Sequence, residues 1–242
     1  MVYRERTYRH YGAGSDLVSC RVKISETDLY ILAERDLKKE ASLSAREFRH
    51  DIEGYIAHDP EFLLTLKPHR VKENAPAIVR EMSAAGEKAG VGPMAAVAGA
   101  IAQYVGRDLA AYSGEVIVEN GGDIFLNSKR TRKIGIYSGM PFIDGNVVLE
   151  IPPAPDGLGI CTSSGKIGHS LSFGGADAVV VLSSNAALAD AVATAAGNLV
   201  KKPCDIEKGI TFARTILEVK GVLIIAGGDM GVWGELKLAR AG

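Results

Sequence analysis

Two strand-like runs open the pattern, LVSCRVKI (17–24) and DLYILAE (28–34). Only Ser25-Glu26-Thr27 separates them, which predicts a hairpin or meander. The apolar positions then change to helical spacing. Ser44-x-x-Glu47 has the spacing of a capping box, and Phe48, Ile52, Tyr55 and Ile56 follow as one apolar face that should pack on the strands. A second helical start is predicted at Asp59-Pro60, with a cap followed by a first-turn proline. A third amphipathic helix, from about Ala75 to Gly90, turns Ile78, Val79, Met82 and Ala85 inward. From Pro93 to about Tyr112 small apolar residues such as Ala96, Gly99, Ala100 and Ala102 lie on most sides, predicting a central helix closely approached by its neighbours.

Five strand-like runs come next, at 115–120, 123–128, 133–139, 146–152 and 158–163, joined mostly by short Gly- or Asp-containing turns. Short turns predict antiparallel pairing. A glycine-rich stretch leads into the strand AVVVLS (178–183), followed by helices at about 185–199 and 205–215 and a last strand pair, GVLIIAG (221–227) with LKLAR (236–240). Strands in runs beside segregated helices predict an α+β fold rather than a doubly wound sheet. The stretches IVENGGDIFL (117–126) and IIAGGDMGVW (224–233) echo one another, as two halves of a pseudo-duplicated sheet would, or as two independent turns would.

Composition narrows the function classes. Apolar residues make up 47% and charged residues 24% of 242, values of an ordinary folded chain long enough for one sizeable core. With 28 basic and 29 acidic residues there is no positive surplus for a nucleic-acid backbone. Thirty of the 57 charges fall in the first 90 positions, and no low-complexity linker or charge block separates the halves, so we read one domain, 1–242, with a charged scaffold portion (1–90) and a ligand-binding portion (91–242). Cys20, Cys161 and Cys204 form neither a C-x-x-C pair nor a complete disulfide framework, which fits a reducing compartment. No apolar run reaches the ~18 residues of a membrane helix, and the charged, aromatic N-terminus is no secretory signal, so a cytoplasmic location is expected.

Three motifs carry candidate chemistry. Asn120-Gly121-Gly122-Asp123 can bring backbone amides close to a ligand, or can simply close a tight hairpin. From Cys161 to Gly175, Thr162, Ser163, Ser164, Gly165, Lys166 and His169 crowd hydroxyls, a thiol, a cation and a base into one glycine-rich segment able to wrap an anion; a solvated polar loop would carry the same residues. Asp190, Thr194 and Asn198 recur every fourth residue on an Ala/Val/Leu helix, forming one polar stripe. A carboxylate and a hydroxyl one turn apart suit magnesium, while a plain solvent face is the alternative.

In this order, V-E-N-G-G-D-I, K-I-G-I, C-T-S-S-G, a lone His, V-V-V-L-S and A-D-A-V-A-T-A, the motifs resemble those of the ApbE-like FAD:protein FMN transferases over roughly 115–200. The likeness is greatest to a compact branch of these proteins in anaerobic prokaryotes. The resemblance implies a T-fold-like architecture, with a largely antiparallel sheet holding FAD or FMN and magnesium. It implies Asp190 and Thr194 as metal ligands, His169 as the residue of the transfer step, and a nucleotide ligand gripped by residues 120–123 and 162–165. FMN would pass to a serine or threonine of an acceptor protein, and a homodimer is an expected assembly. The chain departs from the family where Ser170-Leu171-Ser172-Phe173-Gly174-Gly175 replaces an Asp-Pro-x-Thr-Gly turn.

Two other readings stand beside it. Cys161, followed by three hydroxyl residues with Lys166 and His169 near in sequence, could serve as a nucleophilic or sulfur-carrying thiolate. The resemblance adds a link of this branch with sulfur assimilation toward homocysteine. Alternatively, the chain keeps the fold as a non-catalytic binding protein.

Overall fold

A computed structural model describes residues 16–139, 143–144, 146–164 and 174–240. The chain begins with the hairpin β1 (Val18–Ile24) and β2 (Thr27–Ala33), then builds four helices: α1 (Lys38–His58), α2 (Glu61–Leu64), α3 (Ala77–Ala89) and α4 (Val97–Leu109). A second hairpin follows, β3 (Val116–Asn120) and β4 (Asp123–Ser128). After β5 (Arg132–Gly135) and β6 (Val147–Ile151) the scheme repeats. Hairpin β7 (Ala154–Ser163) and β8 (Ala178–Ser183) is followed by helices α5 (Ala186–Leu199) and α6 (Ile206–Arg214), and hairpin β9 (Val219–Ala226) and β10 (Asp229–Gly234) closes it. The four hairpins form one antiparallel sheet of eight strands in the order β1-β2-β3-β4-β7-β8-β9-β10. The fold is α+β, with the same hairpin–helices–hairpin plan in each half of the sheet.

The strands read as nearly unbroken apolar runs because both faces of the sheet are covered. Val179 and Val181 of β8 and Val222 and Ile224 of β9 join the helices in one core. Their neighbours Ala178, Val180, Leu182, Leu223 and Ile225 join a second core, closed by Ile134, Leu149 and Ile151 of a three-stranded sheet. That smaller sheet, ordered β11-β6-β5, ends with β11 (Leu238–Arg240). Its departure from the large sheet is anchored by Arg132, which donates 2.7 Å to buried Glu115 at the foot of β3 and 2.9 Å to Asp16.

Several expected elements shift. Helix α1 starts six residues before Ser44: Asp36 accepts the amide of Lys38 at 2.9 Å and so opens the helix early, while Ser44 lies inside it and donates to Asp108. The expected pairing of GVLIIAG with LKLAR is replaced. β9 pairs with β10, whose turn at Gly227-Gly228 has φ of 59° and 95°, and LKLAR crosses to β6. The expected helix from Pro93 begins as a 3-10 turn, Pro93–Ala96, before α4. Among the described residues no single helix is long and apolar enough to cross a membrane.

Candidate functional site

The Asn120–Asp123 motif is the hairpin turn between β3 and β4, with Gly121 and Gly122 at φ of 72° and 106°, a backbone only glycine adopts freely. Its geometry settles more than the turn. Asn120 and Asp123 pair across the ladder on the helix-facing side of the sheet, where Asn120 donates to the carbonyl of Ala98 at 3.2 Å. Asp123, only 5% exposed, accepts the amide of Thr162 on β7 at 3.2 Å. The Gly122 amide donates 2.8 Å to Glu119.

Facing this turn lies the middle of α5, whose polar stripe is not a solvent face: Asp190 is partly and Thr194 almost wholly buried. Asn185 caps the helix, accepting the Leu188 amide at 2.9 Å, while the Gln103 carbonyl oxygen accepts the Ala186 amide at 2.7 Å. Both capping side-chain amides, Gln103 Nε2 and Asn185 Nδ2, donate to Glu81, each at 2.6 Å, so three helices share one part-buried polar clamp. Beside it α4 and α5 approach so closely that a Cβ on Gly99 would meet the Ala186 oxygen at 2.3 Å. The bare Gly99 amide instead donates 2.9 Å to Asp190.

Two carboxylates therefore converge, Asp123 buried and Asp190 partly so. Burial pushes the Asp190 carboxyl up to about 7, against the pull of the Gly99 and Ala98 amides. Burial and the neighbouring charge of Asp190 push Asp123 well above the carboxylate range. Among the described residues neither carboxylate forms an ion pair with a basic side chain. Among the described residues no three His, Cys, Asp or Glu side chains group into a metal shell of their own. A cation here would complete its coordination with hydroxyl, water or ligand oxygens, the habit of magnesium, which takes one or two carboxylates and keeps waters or phosphates. The oxygen donors of Asp123, Asp190 and Thr194 fit that ion.

The other predicted residues divide. Cys161 has no exposed surface and donates 3.2 Å to the Ala186 carbonyl. Burial, then the charges of Asp123 and Asp190, push its thiol well above the usual range, the direction opposite to a ready thiolate. Cys204, by contrast, is exposed. Thr162 and Ser164 are half-buried, and Ser163 is 7% exposed. Gly165, Lys166 and His169 lie outside the described residues. Sequence reasoning missed Glu81, Gln103 and the Gly99 amide; the signal was Gln103, a lone amide amid the small apolar residues of α4.

The family model described as AbpE bacteria matches residues 9–215. A UPF0280 protein of Methanocella arvoryzae is 40% identical over 92% of this chain and 91% of its own length. Another, from Methanosphaerula palustris, is 42% identical over 91% and 92%. Among solved structures, a variant of the flavin transferase ApbE from Vibrio cholerae superimposes with a TM-score of 0.59 at 12% identity, covering 91% of this chain and 97% of that one. The apo flavinyl transferase ApbE of Pseudomonas stutzeri gives 0.56 at 14% identity, covering 90% and 94%. At such identities the likeness is one of fold, and that fold is ApbE-like.

Proposed function

The chain belongs to the AbpE bacteria family, alongside the UPF0280 proteins, and from that premise we propose that it binds a flavin nucleotide through a divalent cation held at Asp123, Asp190 and Thr194. The observation that carries this reading is the pairing of buried Asp123 with partly buried Asp190, two carboxylates brought together from a hairpin turn and a helix, neither ion-paired with a basic side chain among the described residues. Such a pair repels itself in a low dielectric, and a doubly charged ion relieves the repulsion. The fold's likeness to flavin transferases favours a flavin pyrophosphate, such as that of FAD, as the ligand. When bound, magnesium supplies charge neutralisation at phosphate oxygens. The protein's part is positional: Asn120 holds the Ala98 carbonyl, the Gly99 amide holds Asp190, and the Thr162 amide holds Asp123.

FMN transfer from FAD to a hydroxyl acceptor is the reaction this site would serve: the acceptor oxygen would bond to the FMN phosphorus as the pyrophosphate bond breaks and AMP leaves, with His169 as the base that takes the acceptor's proton. Isothermal titration of FAD with magnesium into wild type and Asp190→Ala tests the reading. We expect the substitution to weaken binding by about tenfold or more, the scale of losing a charge-assisted contact. Equal affinities would remove the site from the proposal.

A further inference from the structure

Ser163 is the last residue of β7, and its Oγ is buried without a hydrogen-bond partner among the described residues. With 7% exposure the side chain is more than nine-tenths buried. Leaving a hydroxyl unsatisfied in that environment forfeits its hydration for nothing, so alanine would suit the folding of this position at least as well. Its direction follows from the strand. Successive side chains alternate faces, and Cys161, two residues earlier, belongs to the helix-side core. Ser163 therefore points the same way, about 7 Å further along at ~3.3 Å per residue.

What lies there is the body of α5. Gly159 of β7 abuts Ala186 at the start of that helix, and Gly174, just ahead of the paired strand β8, abuts Gly197 near its end, so the β7–β8 pair runs alongside it. Cys161 already feels both Asp123 and Asp190. The next inward side chain along β7 is Ser163, further toward the C-terminal part of α5, and the Thr162 amide beside it is fastened to Asp123.

We propose that Ser163 is a ligand-contacting residue whose hydroxyl donates to a phosphate oxygen of a pyrophosphate group bound at the cation site. This rests on the cation reading above and adds the group that reads the anion. Among the described members of the cluster the carboxylates can only accept when ionised, so a phosphate needs a neutral donor there. A hydroxyl supplies one without cancelling the charge that holds the cation.

Titrations with magnesium alone, and with inorganic pyrophosphate or ADP in the presence of magnesium, test this in wild type, Ser163→Ala and Ser163→Cys, with thermal melts of the ligand-free forms. Ser163→Ala should melt no lower than wild type and keep its affinity for magnesium alone. It should bind both phosphate ligands about tenfold more weakly, the scale of a hydrogen bond to a charged group. Ser163→Cys, with a weaker donor of similar shape, should fall between. Unchanged phosphate affinity in Ser163→Ala would overturn the proposal, and so would an equal loss for magnesium alone, which would make the hydroxyl a cation ligand. Magnesium binding lost in Asp190→Ala, with pyrophosphate bound by neither wild type nor variant, would sink the role of Ser163 while sparing the cation site. Magnesium affinity unaltered in Asp190→Ala would sink the cation reading instead.

Discussion

Asp190 shows how one side chain can be costly to the fold and useful to the site. Its carboxyl is raised from 3.8 to about 7 by burial, so the folded state holds a proton that the unfolded chain releases. For a raised acid, the native form binds more protons between those two values, and stability falls as pH climbs through that window. We expect the melting temperature of cation-free protein to drop as pH rises from about 4 to about 7 and to level off above that, and Asp190→Asn to flatten this slope. Excess magnesium should flatten it as well, because a bound cation favours the ionised form. A slope identical in wild type and Asp190→Asn would show that the carboxyl does not titrate there. Cys161 obeys the same physics: its burial, unreadable from the hydroxyls beside it in sequence, keeps the thiol neutral.

At the scale of elements, the site depends on how closely α4 lies against α5. A Cβ on Gly99 would meet the Ala186 oxygen at 2.3 Å and the Asp190 Cβ at 2.9 Å, both too near to accommodate without moving a helix. Gly99→Ala should therefore destabilise the protein by roughly 1–3 kcal/mol in urea unfolding, the usual cost of overpacking, and weaken magnesium binding as the amide to Asp190 shifts. Retained stability with retained binding would mean that the helices have room to part. The stripe of α5 was legible in sequence because that helix carries neither Lys nor Glu on the face bearing Asp190 and Thr194. The clamp of Glu81, Gln103 and Asn185 was not, because its members come from three helices distant in sequence. Ser44-x-x-Glu47 misled for a related reason: Asp36 had already satisfied an early amide of the same helix.

Over the whole molecule, two cores share one sheet, and the smaller sheet is held at its departure point by a buried charge network. Arg132 donates to Glu115 and Asp16, and Ser128 donates to Glu115. Arg132→Ala would strand Glu115, itself 5% exposed, and should cost about 3–5 kcal/mol by urea unfolding, as removal of one partner from a buried pair does. Arg132→Met, an apolar replacement of similar length, should cost nearly as much, since the stranded charge rather than lost volume is the cause. A loss below about 1 kcal/mol in both would show the pair to be effectively solvated. The α+β class and the antiparallel pairing across short turns followed from apolar runs and turn residues. The crossing of LKLAR to β6 did not, because three alternating residues look alike whichever edge they join.

The doubled plan of the large sheet has one more consequence. Gly121-Gly122-Asp123 and Gly227-Gly228-Asp229 are the same tripeptide in the same kind of turn, closing corresponding hairpins. Yet Asp123 is buried toward α5, while Asp229 stands exposed on the edge strand β10. The molecule thus contains its own reference specimen: whatever an Asp-to-Asn exchange does at 229 measures the turn by itself, and whatever more it does at 123 measures the company that carboxylate keeps.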